Sequence, residues 1–342
     1  MCIRDSPDIA DSSDTLANLY QSQGRCGEAE PLYQRALAIR EQTLERTHPS
    51  IAHSLNNLAV LYKAQGRYSE AEALLQRAIA INEQAFWATH PVVAVSLNNL
   101  AVLHETQGRY AEAESLYLRI LAIPEQHLSR QHHDVAQSLN NLADVYWAQG
   151  RGAEAEPLYQ RALAIREHSF GPQHPDVASS LSGLARVYAD QGRYGEAEAL
   201  YQRALAIDEH SLGPMHPDVA QSLNSLGGLY YIQGRDAEAE PLLQRSLVIR
   251  EQALGPEHPD VAQSLNNLAG PYRRQDRYAE VELLLQRALT IAEQALDPTH
   301  PLVAAVRKNY ADVLQRRLHK TVSTTPLWQR IRAWLSRTRA IR

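Results

Sequence analysis

The sequence predicts an all-α protein, a solenoid of stacked antiparallel helix pairs, each pair one copy of a 42-residue unit. Three observations carry this. His-Pro recurs at His48-Pro49, His90-Pro91, His174-Pro175, His216-Pro217, His258-Pro259 and His300-Pro301, always 42 residues or twice that apart, and His132-His133 fills the one gap. Gln-Gly-Arg recurs in phase from Gln23 to Gln233, with Gln275-Asp276-Arg277 in the seventh copy. The stretch VAQSLNNLA stands unchanged at 135–143 and 261–269. A fixed period without insertions is the mark of one supersecondary unit repeated, each copy burying its apolar face on the next.

Residues 49–90 serve as the model unit. Pro49 opens helix A, where its missing N–H costs nothing, and most other copies follow with Asp, whose charge suits the first turn. Ile51, Leu55, Leu58, Leu61 and Tyr62 then recur at helical spacing. Gly66 ends the helix, because glycine readily takes the left-handed capping conformation. Helix B is expected from about Tyr68 to Phe86, with Ala71, Leu74, Leu75, Ala78, Ile79 and Ile81 inward. Ala59, Ala71 and Ala78 keep their phase in most copies, and small side chains let the two helices approach closely. No strand pattern occurs.

The motif Leu55-x-x-Leu58-Ala59-x-x-Tyr62, followed by Gly66-x-Tyr68-x-x-Ala71 and then Ala78, resembles the tetratricopeptide repeat. The 42-residue variant, with SLNNLAVLY, QGRYSEAEALLQRA and LGPEHPDVA, is similar to the repeats of kinesin light chain and its bacterial relatives. The resemblance covers about residues 7–318. It implies a right-handed superhelical solenoid whose A helices line a concave surface, and a protein-interaction scaffold.

The ends and breaks are read as follows. Residues 1–6 (MCIRDS) share nothing with the repeat and are expected to be non-native or disordered, resembling an adapter-derived end, with the natural chain extending upstream. Pro271 stands where other copies have Leu61, Leu103 or Leu229, and is expected to kink helix A of the seventh copy. Pro124 replaces Arg40 or Arg166 and should shorten its helix B, whereas Pro31, Pro157 and Pro241 lie early in helix B and are tolerated. The array therefore holds seven helix pairs plus a terminal helix from Pro301 to about Leu318, with Val303, Val306, Tyr310 and Val313 inward. Residues 319–342 form a basic tail with an amphipathic helix, whose Leu327, Trp328, Ile331, Trp334 and Leu335 share one face. It is read as a cap on the array, as a membrane-surface helix through residues 327–342, or as a docking element for nucleic acid or a partner.

Composition narrows the function. The net charge of −5 conceals eight cations and no acid after residue 315, so residues 1–315 carry −13. An acidic body argues against nucleic acid as partner. No apolar run approaches the ~18 residues of a membrane span, and no basic-then-apolar start with a cleavage site is present, so no signal peptide is expected. Cys2 and Cys26 are too few for a disulfide framework, in keeping with a cytoplasmic setting. Seven of the fourteen histidines sit one period apart in the repeat loop, too far apart to hold one ion, and no H-E-x-x-H, C-x-x-C, G-x-S-x-G or P-loop pattern occurs. Glu70 and Glu72 mark an acidic first turn of helix B that pairs with Arg67 or Arg77. No catalytic residue, metal or cofactor is expected.

The informative polar residues lie on helix A. Asn57, Asn99, Asn141, Asn267 and Asn309 share one column, and Asn56, Asn98, Asn140, Asn224 and Asn266 the one before it. Stacked amides can bind extended main chain, or can bridge neighbouring repeats. By resemblance, the Asn57 column matches the asparagine that holds ligand main chain in peptide-binding tetratricopeptide repeats, though Gly183 and Ser225 interrupt it. Lys63, Glu105, Trp147, Tyr231, Arg273, Arg274, Lys308 and Arg316 vary between copies as specificity positions would. The last four, with Asn267 and Asn309, are expected to form a cationic pocket for an acidic peptide or a terminal carboxylate. The reading is a scaffold that holds a peptide or partner segment, acidic ones included. Two others stay open: a regulatory arm of a larger signalling enzyme, and a membrane-peripheral assembly factor.

Overall fold

The computed structural model describes residues 7–23, 25–88, 90–123, 132–296, 298 and 300–324. Fifteen α-helices and no strand occur among the described residues. The A helices are α1 (Pro7–Ser22), α3 (Pro49–Ala64), α5 (Pro91–Thr106), α7 (His132–Ala148), α9 (Pro175–Asp190), α11 (Pro217–Ile232) and α13 (Pro259–Arg274). Their B partners are α2 (Cys26–Thr43), α4 (Tyr68–Ala85), α6 (Tyr110–Leu121), α8 (Gly152–Phe170), α10 (Tyr194–Leu212), α12 (Asp236–Leu254) and α14 (Tyr278–Ala295), and α15 (Pro301–Thr324) closes the series. The helices gather into two compact units, Met1–Pro172 and Gln173–Arg342.

Within each unit the repeat dictates the contacts. Ala59, Ala71 and Ala78 are fully buried, where A and B helices press together, and Leu55, Leu58, Leu61 and Leu75 fill the space around them. In the first unit, core residues of neighbouring pairs, among them Tyr33, Leu61, Leu103 and Tyr117, share one cluster. Gly66 turns the chain with φ +76, and its equivalents Gly108, Gly150, Gly192 and Gly234 do the same at φ 72–77. In the seventh copy Asp276 must take that conformation, at φ 58, the one non-glycine residue at positive φ among the described residues.

The loop histidines prove to be helix caps. His48 Nδ1 accepts from the Ser50 N–H at 3.2 Å, and His90, His174, His216, His258 and His300 repeat the bond. Each satisfies a backbone donor that the first turn leaves unpaired, so the His-Pro pair encodes cap and first residue together.

The arginine of Gln-Gly-Arg locks one repeat to the one before. Arg67 donates to Glu70 three residues on and to Glu30 of the preceding repeat, at 2.7 and 2.8 Å, and its guanidinium lies 3.6 Å above the Tyr62 ring. Arg151 and Arg235 in turn join Glu154 and Glu114, and Glu238 and Glu198. The expected pairing of Glu70 with Arg67 is present, while Glu72 serves Arg109 of the next repeat at 2.9 Å and Arg77 joins Glu41.

A second device was not legible. Late in helix B a buried polar side chain reaches into the next A helix. Arg40 bonds Asp14, Asp11 and Ser54, and Arg250 bonds Gln221, Ser264 and the Asp260 carbonyl. Asn82 and Asp208 stand at the same point of their copies and bond Ser96 and Ser222. A long polar chain buried beneath a helix end looks, in sequence, like an exposed arginine.

α13 stays helical on both sides of Pro271, which is buried, and Gln275 donates to the Pro271 carbonyl at 3.1 Å. One expectation needs correction. The terminal helix does not stop near Leu318 but extends to Thr324, since no Gln-Gly-Arg turn follows to end it. α6, in contrast, has only 12 residues and ends at Leu121, as a following proline requires. Pro124 itself, residues 1–6 and the tail helix expected over 327–342 lie outside the described residues.

Candidate ligand groove on the A helices of the second unit

The amide columns are joined to each other. Asn141 Nδ2 donates to Asn98 Oδ1 at 3.1 Å, Asn267 to Asn224 at 2.9 Å and Asn309 to Asn266 at 2.8 Å. Each bond crosses from one repeat to the one before, 43 residues away. Asn141 also accepts from Gln137 Nε2 at 2.7 Å through its carbonyl oxygen. The earlier column is the more deeply placed: Asn56, Asn140 and Asn224 are only 7, 4 and 7% exposed. Asn56 is spent on Ser96 at 2.8 Å. Asn56 and Asn140 are thus buried between repeats, as Asn224 is, and of these three Asn224 lines the cavity described below. Asn57 and Asn99 remain half-buried, Asn57 facing His53 at 3.2 Å.

The second unit holds a cavity of about 410 Å³ on its A-helix face. Its polar lining is Arg186, Asp190, Asn224, Ser225, Asn266, Asn267, Arg273 and Asn309. Its floor is apolar, with Leu229, Leu243, Ala269, Val281 and Leu285, and Tyr201 and Tyr231 form walls. Burial pushes the Tyr201 hydroxyl up to about 12, so it remains a neutral hydrogen-bond donor near pH 7.

Tyr231 is held from several sides. Gly270 leaves room for its ring, since a Cβ there would lie 3.0 Å from it. The Arg274 guanidinium stacks on the ring at 3.9 Å and donates to the Tyr231 carbonyl and to Asp236. Arg273 Nη2 lies 3.4 Å from the Tyr231 hydroxyl. Among the described residues Arg273 has no carboxylate partner, whereas Arg274 has Asp236 and Arg277 has Glu240 and Glu280.

The structure thus brings together Asn267, Asn309 and Arg273 from the expected pocket, with Tyr231 from the other expected groove positions, and adds Arg186. It does not bring in the other three cations. Arg274 is spent holding Tyr231, and Lys308 and Arg316 are exposed outside the cavity. In the first unit, Trp147 is half-buried on α7. Lys63 and Glu105 face each other across α3 and α5, where burial pulls the Lys63 ammonium down and Glu105 opposes that shift. No group of three or more His, Cys, Asp or Glu side chains suited to a metal ion occurs among the described residues. No helix among them is long and apolar enough to cross a membrane.

Helix pairs capped by histidine, locked by arginine and presenting a polar-rimmed groove define a helical-repeat scaffold. The chain matches the tetratricopeptide repeat family over residues 8–84, 134–210 and 218–294, and a second form of the same repeat over 93–134. It belongs to the tetratricopeptide repeat family, whose members generally act as protein-interaction scaffolds. It is similar to a Podospora anserina putative kinesin light chain with nearly identical repeats, at 32% identity over 60% of this chain and 97% of that one, TM-score 0.52. BtubC (BKLC) from P. vanneervenii shares 26% identity over 68% of this chain and 94% of that one, TM-score 0.56. A Rap protein complexed with competence and sporulation factor shares the fold at 15% identity, over 83% of this chain and 74% of that one, TM-score 0.62. No curated protein matches the chain.

Proposed function

We propose that this protein is a scaffold that holds an extended peptide or partner segment on the A-helix face of its second unit, and that the segment carries a carboxylate. The observation that carries this is Arg273, a half-buried cation lining the cavity that makes no salt bridge among the described residues, Asp190 being the one acid in the lining. A guanidinium in that position favours a carboxylate from a ligand, which it can bind through two parallel hydrogen bonds. Asn267 and Asn309 supply donors and acceptors beside it for main chain. The Rap protein above is complexed with competence and sporulation factor, one use of this fold. The setting proposed is cytoplasmic, in keeping with the half-buried free thiol of Cys26.

The test is binding of a peptide array in which acidic residues and a free or amidated C-terminus are varied systematically. Acid-bearing peptides retained by the full chain should be lost on Arg273→Glu and kept on Arg316→Glu. Equal loss in both variants would show a diffuse charge effect and reject the site.

A further inference from the structure

The repeat is its own control for the outer surface of the B helices, and two neighbouring positions depart from it. Where Leu283 stands, the other copies have Pro31, Ala73, Ser115, Pro157, Ala199 and Pro241. Leu283 is 67% exposed, the highest value for a large apolar side chain among the described residues. Where Val248 stands, the first five copies have Ala38, Ala80, Ala122, Ala164 and Ala206, and Val248 is 45% exposed. Arg287 joins Glu251 at 2.5 Å and so fixes the register of α14 against α12. Leu283 lies about one turn before Arg287 and Val248 about one turn before Glu251, which sets the two apolar side chains level on adjacent helices. Beside them opens a second cavity of about 470 Å³, walled by Leu283, Gln286, Arg287, Thr290 and Ile291 of α14 and by Glu257. None of these residues lines the ligand cavity of the A helices.

Place, length and charge name an occupant for this face: residues 325–342, which lie outside the described residues. α15 packs on α14 and has 24 residues against the 16 of α13, so the chain leaves it at Thr324, past the end of α14 that begins with Tyr278. A helix over residues 327–342 spans ~24 Å, against ~18 Å from Tyr278 to Thr290, at 1.5 Å per residue. Its apolar face of Leu327, Trp328, Ile331, Trp334 and Leu335 comes with five arginines and no acid. Charge decides between two seats. α14 carries Glu280, Glu282 and Glu293 against Arg287, and Glu257 stands at the cavity. α15 carries Arg307, Lys308, Arg316, Arg317 and Lys320 against Asp312. A basic helix is therefore drawn to the outer face of α14 and repelled by α15. α15 also needs no cover, since Arg307, Lys308, Asp312, Gln315 and Arg316 already give it a polar outer side.

We infer that the outer face of α12 and α14 seats the basic segment 325–342 of the same chain as an amphipathic helix, its apolar side on Leu283 and Val248. Seating removes from water an apolar patch that no other copy presents at these positions, and a large side chain of the segment fills the cavity beside Leu283. The arginines on its flanks face the acidic surface of the B helices, where they add specificity of placement more than affinity. The seat also ties the segment to a helix with two roles, because the inner face of α14 gives Val281 and Leu285 to the ligand cavity. Nothing in this assignment depends on what that cavity binds.

Cysteine pairing in the full chain tests this. With Cys2 and Cys26 replaced by serine, Leu283→Cys is combined in turn with Ile331→Cys, Trp334→Cys and Leu335→Cys under mild oxidation. At least one combination should close a disulfide within the molecule, which requires Cα atoms within roughly 7 Å. Ala311→Cys on α15, combined with the same three, should close none. Fluorescence gives a second reading. Trp87→Phe with Trp147→Phe leaves Trp328 and Trp334 as the only indoles. Their emission should be blue-shifted and shielded from acrylamide relative to a synthetic peptide of residues 325–342. Leu283→Arg with Val248→Arg should abolish both differences while the melting temperature holds, because both sites are on the surface. Closure through Ala311→Cys would place the segment on α15 instead. Disulfides formed only between molecules would assign the seat to a second copy. Indoles as open to acrylamide as those of the peptide, with no disulfide formed, would leave the segment unseated. Each of these three results overturns the assignment.

Discussion

Position 104 offers a direct test of how the inter-repeat lock works. The equivalent residue is tyrosine at Tyr20, Tyr62, Tyr146, Tyr188, Tyr230 and Tyr272, each under a guanidinium 3.5–4.2 Å from its ring. The third copy has His104, 5% exposed, with Nδ1 buried and without a hydrogen-bond partner. Burial, and then the Arg109 charge, hold its pKa below the ordinary histidine value, against the opposing pull of Glu72 at 3.9 Å. The native state therefore holds fewer protons than the unfolded chain below about pH 6.5. The contribution of His104 is complete above that pH and is lost as pH falls through 6.5 toward the lowered native value. Each unit of depression removes about 1.4 kcal/mol. His104→Tyr abolishes this term and the orphaned nitrogen, which by itself costs ~1–3 kcal/mol. The new hydroxyl would meet Gln76, as Tyr62 meets Gln34 and Tyr272 meets Gln244, at 3.1 and 2.8 Å. We expect His104→Tyr to stabilise α5 and α6 by ~1–2 kcal/mol at pH 7.5, and by more at pH 5.5. Native-state hydrogen exchange measures this locally, which matters because stacked repeats need not unfold as one unit. Equal free energies of opening in both proteins, with the same change between pH 7.5 and 5.5, would refute the reasoning.

Other substitutions address single devices. Pro271→Leu supplies an N–H for the Asn267 carbonyl and should raise protection in α13, with proline in a helix interior typically costing ~3 kcal/mol; unchanged exchange would mean that packing fully compensates. Asp276→Gly should stabilise the α13–α14 turn by up to ~1 kcal/mol, because it removes a Cβ from the left-handed region, and a lower melting temperature would contradict it. Asp208 has its pKa raised by burial, with the Ser222 bond opposing. A raised carboxyl contributes fully below the unfolded value and loses stability as pH rises through the native one. Asp208→Asn should therefore stabilise at pH 7, with a gain that shrinks toward pH 4, and a pH-independent effect would exclude burial as the cause.

The fold was legible because its determinants are local and repeated. His48-Pro49 marks a helix start, Gly66 marks its end, and Leu55, Leu58 and Ala59 fix the inner face within the same 42 residues. The site was only half legible. Asn267, Asn309, Tyr231 and Arg273 could be chosen because a column of one helix shares a face. Arg274 could not be told from Arg273, since the difference lies in a ring 43 residues away onto which one of them folds. The burial of Asn56 and Asn140 likewise depends on the next repeat. One signal was present and unused: Gly228 with Leu243, and Gly270 with Leu285, where other copies place larger or polar pairs.

That signal also separates the two tasks of the sequence. Caps, turn glycines and the Arg67-type lock act between a repeat and its immediate neighbour, and most copies keep them. The pair 15 residues apart across helices A and B makes no such demand. Asn18 with Tyr33, Val60 with Leu75, and Gly228 with Leu243 all fit between the same buried alanines, because Ala17, Ala59 and Gly227 set the helix spacing beneath them. A change there alters what the face presents without moving the scaffold. If so, exchanging Gly228 and Leu243 together for the Asn18–Tyr33 combination should close the cavity and abolish peptide selection while melting temperature stays level. Destabilisation of the double variant beyond that of either single change would show that recognition and scaffold share the same contacts.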